Sequence, residues 1–187
     1  MGECYYKRSI FEEHKYKSAK TVIHILIDVV SKNGNLCLNI PLRGDGTIDE
    51  DERNVVLEIG QWMKINSEAI YNTRPWTVFG EGPAQESAAP LSAQGFNEGG
   101  GKPFSALDYR FTTKGNSLYV IGLGWPENGK TLIKSLSMGN PMRLDSINRI
   151  ELLGAGELKF VRKEDGLEVI LPSNRPELNY AYVLKIN

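Results

Sequence analysis

Cysteine, histidine and long apolar runs are all scarce in these 187 residues, and each shortage removes a class of protein. Two cysteines, Cys4 and Cys37, are too few for a disulfide framework or for a metal site by spacing. Cys37, in an apolar stretch, reads as a small core residue. Neither His14 nor His24 has a metal-ligand partner at useful spacing, so His24 reads as a packed or surface side chain and His14 as a loop residue. The longest apolar run near the start, 22–30, is interrupted by His24 and Asp28 and is far too short to cross a bilayer, so no membrane span is expected. Residues 1–20 carry Glu3, Lys7, Arg8, Glu12, Glu13 and Lys15 and leave no apolar segment for a signal peptide. An excess of one charge is missing too. Twenty-two basic against 23 acidic residues give a net charge of -1, and no Lys/Arg block occurs, which sets nucleic-acid partners aside.

What is present is 41% hydrophobic and 24% charged sequence, enough to bury one sizeable core or two small ones. Ser18 can cap a helix over about 19–32, where Val22, Ile23, Leu26, Ile27 and Val30 recur at helical spacing and Asn33-Gly34 supplies a left-handed stop. Next, 35–40 alternates Leu36, Leu38 and Ile40 with Asn35, Cys37 and Asn39 before Pro41, which predicts a short buried strand. A polar loop over 41–48 leads to Asp49, and Asp49-x-x-Glu52 forms an Asp-headed capping box for a second helix over about 50–65. That helix should bury Val55, Val56, Ile59, Trp62 and Met63. Helix, strand, loop and helix in this order make one repeat of an α/β barrel, and a parallel strand cannot stand alone.

After Trp76 the pattern changes. Gly, Pro, Ala, Ser and Gln dominate 81–103, which reads as a long surface loop. Beyond it come short β-type runs at 107–113, 117–123, 131–136, 148–153, 158–162, 167–171 and 180–186. Lys114-Gly115-Asn116, Glu127-Asn128-Gly129 and Glu164-Asp165-Gly166 fit hairpin turns. With 76–79 counted, about eight antiparallel strands predict a β-sandwich.

Three stretches carry a resemblance: YKSAKTVIHILIDVVSKNGNLCLNIPLRGDGTIDEDE, EIGQWMKINSEAIYNTRPWTVFGEGP and RFTTKGNSLYVIGLGWPENG. They resemble the carboxy-terminal part of family 29 glycoside hydrolases, the α-L-fucosidases, over nearly the whole chain. The resemblance implies the last units of a (β/α)8-like barrel over 1–74, followed by an antiparallel β-sandwich over 75–187. It also implies release of α-linked L-fucose from fucosylated glycans with retention of configuration, without a cofactor, and a parent that is secreted or periplasmic. Retaining hydrolysis uses two carboxylates about 5–5.5 Å apart. The aspartate nucleophile and the fucose-gripping histidines of the family belong to the missing N-terminal barrel portion, so this chain alone is expected to be inactive. The missing strands should also leave apolar helix faces open.

By the same resemblance the acid/base glutamate falls at Glu12 or Glu13, and either can equally be a solvated loop carboxylate. Tyr6, in the Tyr5-Tyr6 pair, stands where the family has an aromatic cluster that packs on sugar C–H faces, although Cys4 departs from that pattern. Asn39, Pro41 and Arg43 lie at or just past the carboxyl end of the predicted strand, the face where barrel active sites form. Asn39 can line the site or serve as a structural amide. Asp45-x-Thr47-x-Asp49-x-Asp51 is spaced like a calcium loop, but Glu50 replaces the required glycine and no metal site is expected. Arg43-Gly44-Asp45 matches an adhesion tripeptide, and Gly46 explains it better as a tight turn. Trp76 and Trp125 read as core or interface residues. The alternative function is a non-catalytic sandwich that binds carbohydrate or docks a subunit.

Overall fold

A computed structural model describes residues 5–86, 103–140 and 146–187. Four helices precede or flank the strands: α1 (Arg8–Glu12), α2 (Ala19–Ser31), α3 (Glu50–Asn66) and the single turn α4 (Pro83–Glu86). Nine strands follow: β1 (Arg74–Glu81), β2 (Tyr109–Lys114), β3 (Ser117–Gly122), β4 (Lys130–Ile133), β5 (Ile150–Leu152), β6 (Gly156–Glu157), β7 (Phe160–Arg162), β8 (Leu167–Ile170) and β9 (Tyr182–Ile186). Most of the loop expected over 81–103 lies outside the described residues.

The helix termini follow their local chemistry. Ser18 accepts the Thr21 amide at the start of α2. Asn33 takes a left-handed φ of 66° after its end, while the Gly34 amide returns to the Val29 carbonyl at 2.8 Å. Helix α3 begins with Glu50, Asp51 and Glu52 and carries Lys64 in its last turn, both favourable to the helix dipole. Asp49 stands at its N-cap position but makes no side-chain cap bond, which corrects the expected capping box. Its carboxylate is taken by Arg43 and Tyr16 instead, because an ion pair competes successfully with a neutral amide donor.

The strands form two antiparallel layers. The larger sheet has the order β1-β2-β3-β9-β5-β6 and the smaller β4-β8-β7. Between them lies a core of Tyr109, Phe111, Leu118, Val120, Ile150, Tyr182, Leu184 and Ile186 from the larger sheet, with Ile133, Leu167 and Val169 from the smaller. Two of the three expected hairpins form, at Gly115-Asn116 between β2 and β3 and at 163–166 between β7 and β8. The third does not. Glu127-Asn128-Gly129 belongs to a crossover, because β3 pairs with β2 and β9 while β4 pairs with β8 in the other sheet. At the Gly122–Tyr182 pair the tyrosine ring lies so close that a Cβ on Gly122 would sit 2.3 Å from it.

The outer face of the larger sheet is covered by α2 and α3. Ile23, Ile27 and Trp62 pack with Tyr119, Ile121 and Val183 in a second cluster. The Trp62 indole also donates to the Ala181 carbonyl at 2.8 Å. The faces of α2 and α3 that carry Ile23, Ile27 and Trp62 are therefore closed by the sheet, while Leu57 and Ile65 of α3 stay exposed. Of the predicted α3 core positions, Trp62 is buried and Val55, Val56, Ile59 and Met63 are half-buried. Arg110 of β2, buried to 3% exposure, bonds Asp28 of α2 at 2.6 Å across the same interface.

The segment 35–40 forms no strand, contrary to expectation. Its alternation survives in burial: Leu36, Leu38 and Ile40 are half-buried and Asn35, Cys37 and Asn39 exposed. Cys37 is thus a surface thiol and not a core residue. A ladder needs a neighbour with free amides and carbonyls, and no described strand lies beside this segment to supply them.

Candidate functional site

Helix α1 and the loop that starts at Arg43 face each other across a cleft of about 420 Å³ lined by Tyr6, Arg8, Phe11, Glu12, Arg43, Gly44 and Asp45. The loop side is self-supporting. Asp45 accepts the Thr47 amide at 2.9 Å and the Thr47 hydroxyl at 2.7 Å, which holds its carboxyl below the usual carboxylate range. Gly46 takes a φ of 82° and donates to the Arg43 carbonyl, so the tight-turn reading of this tripeptide agrees with the geometry.

Helix α1 buries none of its own residues, so it must be held by side-chain contacts. The Arg43 guanidinium carbon lies 5.4 Å from the Phe11 ring centroid and the same guanidinium reaches Tyr6. Behind it, Asp49 is 1% exposed and accepts from both Arg43 Nε and the Tyr16 hydroxyl at 2.5 Å. Burial and the Asp49 carboxylate push the Tyr16 hydroxyl well above its usual range, so it remains a donor. His14, with a left-handed φ of 50°, adds a bond to Asp51 of α3 at 2.6 Å.

Of the residues named from sequence, Tyr6 and Glu12 line this one cleft. Glu12 is bonded to Arg8 at 2.8 Å. Glu13 is turned elsewhere and paired with Lys15, whose bond and charge hold its carboxyl below the usual value. A general acid needs the opposite shift. Asn39 is exposed and does not line the cleft. His24 is a packed residue, 7% exposed, whose Nε2 bonds the Tyr180 carbonyl at 2.7 Å. Trp76 and Trp125 turn inward, onto Phe111 and Tyr182 at centroid separations of 5.2 and 5.4 Å, and offer no open sugar platform.

Sequence reasoning placed Arg43 beside the site but missed Phe11 and the anchoring of Arg43 by Asp49. The available signal was a cluster of acidic residues with one, Asp49, six positions after an arginine in a glycine-rich turn. Which of the acids is buried depends on contacts to Tyr16, far back along the chain.

The cleft thus brings two carboxylates, Glu12 and Asp45, beside two aromatic rings, Tyr6 and Phe11, and two arginines, Arg8 and Arg43. Residues 3–68 match the family model described as Alpha-L-fucosidase, and residues 103–187 match the Alpha-L-fucosidase C-terminal domain. The chain belongs to the α-L-fucosidase family and corresponds to its carboxy-terminal portion. It is 32% identical over 170 residues to the tissue alpha-L-fucosidase of Homo sapiens, covering 88% of this chain and 30% of that protein. It is 28% identical over 176 residues to the alpha-L-fucosidase of Branchiostoma floridae, covering 91% and 33%. The crystal structure of Thermotoga maritima alpha-fucosidase in complex with a mechanism-based inhibitor superposes with a TM-score of 0.66 at 28% identity, covering 91% of this chain and 34% of that one. The chain therefore spans about a third of the length of the relatives it matches.

Proposed function

We propose that this chain is the carboxy-terminal part of a retaining α-L-fucosidase that removes α-linked L-fucose from glycans, and that it needs an upstream barrel portion to do so. The observation that carries the reading is the pair of family matches on both sides of β1, together with a coverage of about a third of each relative. The segment 35–40 supports it. Its apolar residues rest against the protein while its other face is exposed, as expected of the last parallel strand of a barrel whose neighbours come from upstream. In this reading 1–74 contributes the final barrel units and 75–187 the sandwich.

Within that frame Glu12 is the better general acid/base candidate, since it shares a cleft with Tyr6 and Arg43 while Glu13 is held ionised by Lys15. Tyr6 and Phe11 offer ring faces to the C–H surface of a sugar. Arg43, anchored from behind by Asp49, keeps the aromatic wall in place and supplies donors toward sugar hydroxyls. A nucleophilic aspartate comes from the upstream part.

The test joins the upstream portion of the human tissue enzyme in frame to this chain and follows release of nitrophenol from a nitrophenyl α-L-fucoside. The chain alone should be silent and the fusion active. Glu12→Gln should lower kcat by at least ~100-fold, the low end for a lost proton-transfer group, and Glu13→Gln should leave it within a few-fold. Turnover by the isolated chain, or loss on Glu13→Gln with Glu12→Gln unaffected, would refute the assignment.

A further inference from the structure

Of the two histidines in the chain, His14 is exposed and His24, on α2, is 7% exposed. A carbonyl oxygen only accepts, so the 2.7 Å contact between His24 Nε2 and the Tyr180 carbonyl fixes the proton of the neutral ring on Nε2. Nδ1 is then bare, and it meets no hydrogen-bonding group among the described residues. The ring lies edge-on to Phe104, with centroids 5.6 Å apart, and the Arg110 guanidinium is 4.9 Å from that same phenyl ring. Charges reach the imidazole from each side: Lys20 on α2, Arg110 on β2 and Asp108 just ahead of β2. Asp28 is committed to Arg110, and Asp108 to the amides of Ala84 and Ser105, both at 2.8 Å. Burial above all, with like charge from Lys20 and Arg110, holds the imidazole below the usual histidine range against the opposing pull of the Tyr180 bond and Asp108.

Tyr180 and Ala181 form a strap that leads into β9 and is tied to both helices. From α2, His24 donates to the Tyr180 carbonyl. From α3, the Trp62 indole donates to the Ala181 carbonyl at 2.8 Å, and Glu58 accepts the Tyr180 hydroxyl at 2.7 Å. The bond to α2 is the one made by a side chain whose ordinary titration falls near neutrality.

We propose that His24 is an acid-sensitive latch: while neutral it holds the Tyr180–Ala181 strap on α2, and taking a proton releases the strap. The imidazolium would still have a donor on Nε2, but it sets a further positive charge in a dry site beside Arg110 and Lys20 and adds an Nδ1–H with no acceptor. The ring gains water only by leaving the Tyr180 carbonyl. The opening is local, since β9 remains laddered to β3 and β5 and α2 remains packed through Ile23 and Ile27. The closed ring titrates below the open one, so the latch is fully closed above pH ~6.5 and weakens as pH falls through the closed-form value.

The experiment follows two NMR signals of the full chain from about pH 7.5 down to about pH 5, where carboxylates are still mostly ionised. One is the His24 ring proton, assigned with the help of His14→Gln. The other is exchange of the Trp62 indole N–H, which reports on the strap at Ala181, corrected for the intrinsic effect of pH. His24 titrates below free histidine, and indole protection falls at least about threefold in step with it. His24→Gln keeps an N–H for the Tyr180 carbonyl and takes no proton, so its indole protection stays flat. Lys20→Glu, at an exposed position, replaces a repelling cation by an anion and moves both midpoints upward together, which preserves the test if His24→Gln does not fold. The proposal is overturned if His24 titrates at or above the free value, or if it takes its proton while indole protection stays flat. It is equally overturned if His24→Gln loses as much protection as the unaltered chain, or if Lys20→Glu shifts the His24 midpoint alone.

Discussion

Replacing Asp28 by alanine removes the carboxylate that neutralises Arg110 at the interface between α2 and the larger sheet. Arg110 is 3% exposed, its Nε bonded to Asp28 at 2.6 Å, its NH1 to the Tyr109 carbonyl at 2.9 Å, and its guanidinium 4.9 Å from the Phe104 ring. After the substitution the guanidinium keeps a carbonyl and ring faces but no counter-ion. Losing one partner of a buried pair costs roughly 3–5 kcal/mol, and the 24% exposure of the Asp28 side chain, which admits some water, places the expected loss near ~3 kcal/mol. For a chain of this size that lowers Tm by roughly 6–12 °C. Arg110→Met should cost less, about 1–2 kcal/mol, because Asp28 retains its bond to Lys32 at 2.7 Å near solvent and methionine fills the apolar surroundings. The double variant should then be more stable than Asp28→Ala alone, since no unpaired charge stays buried. Urea denaturation of the four proteins at low and high salt checks this, and the coupling should survive the salt because the pair is shielded from it. Additive losses, or a double variant no better than Asp28→Ala, would show that the pair does not join helix to sheet.

Three further outcomes are expected. Tyr16, Tyr109, Tyr119, Tyr180 and Tyr182 all have hydroxyls pushed up, chiefly by burial, or for Tyr180 by its bond to Glu58, and stay neutral in the fold. The unfolded chain begins to lose these protons near pH ~10 while the folded one keeps them, so stability should fall as pH rises above that value; tyrosinate absorbance that rises before unfolding would contradict this. Thr131→Val breaks the buried chain in which Tyr182 donates to Thr131 at 3.0 Å and Thr131 bonds Tyr109, and should cost about 1–3 kcal/mol in thermal denaturation. Removing residues 1–73 bares Tyr119, Ile121 and Val183, so the remaining sandwich should bind a hydrophobic dye and associate, as light scattering would record.

Much of the fold was legible because its signals are local. Ser18, Asn33 and the apolar spacing of α2 bounded that helix to within a residue, and Gly115 and the 163–166 turn announced their hairpins. At the site, Tyr6 and Glu12 were named through family likeness and do share a cleft, while Glu13 and Asn39 do not. Propensity and periodicity cannot rank Glu12 against Glu13. That distinction comes from a neighbour, Lys15, and from where one short helix turns its faces.

By itself the sequence determined which segments are helical or extended, where most of the turns fall and which family the chain belongs to, since caps, period and motif are written in residues close together. Only the tertiary structure decided the rest. It made Asp49 an anchor and not a cap, carried 123–129 from one sheet to the other, laid α2 and α3 on the outer face of the larger sheet, and left 35–40 without a ladder. Each of these depends on residues distant in sequence and not on a local signal. Burial and hydrogen bonding reward a contact only when both sides are present.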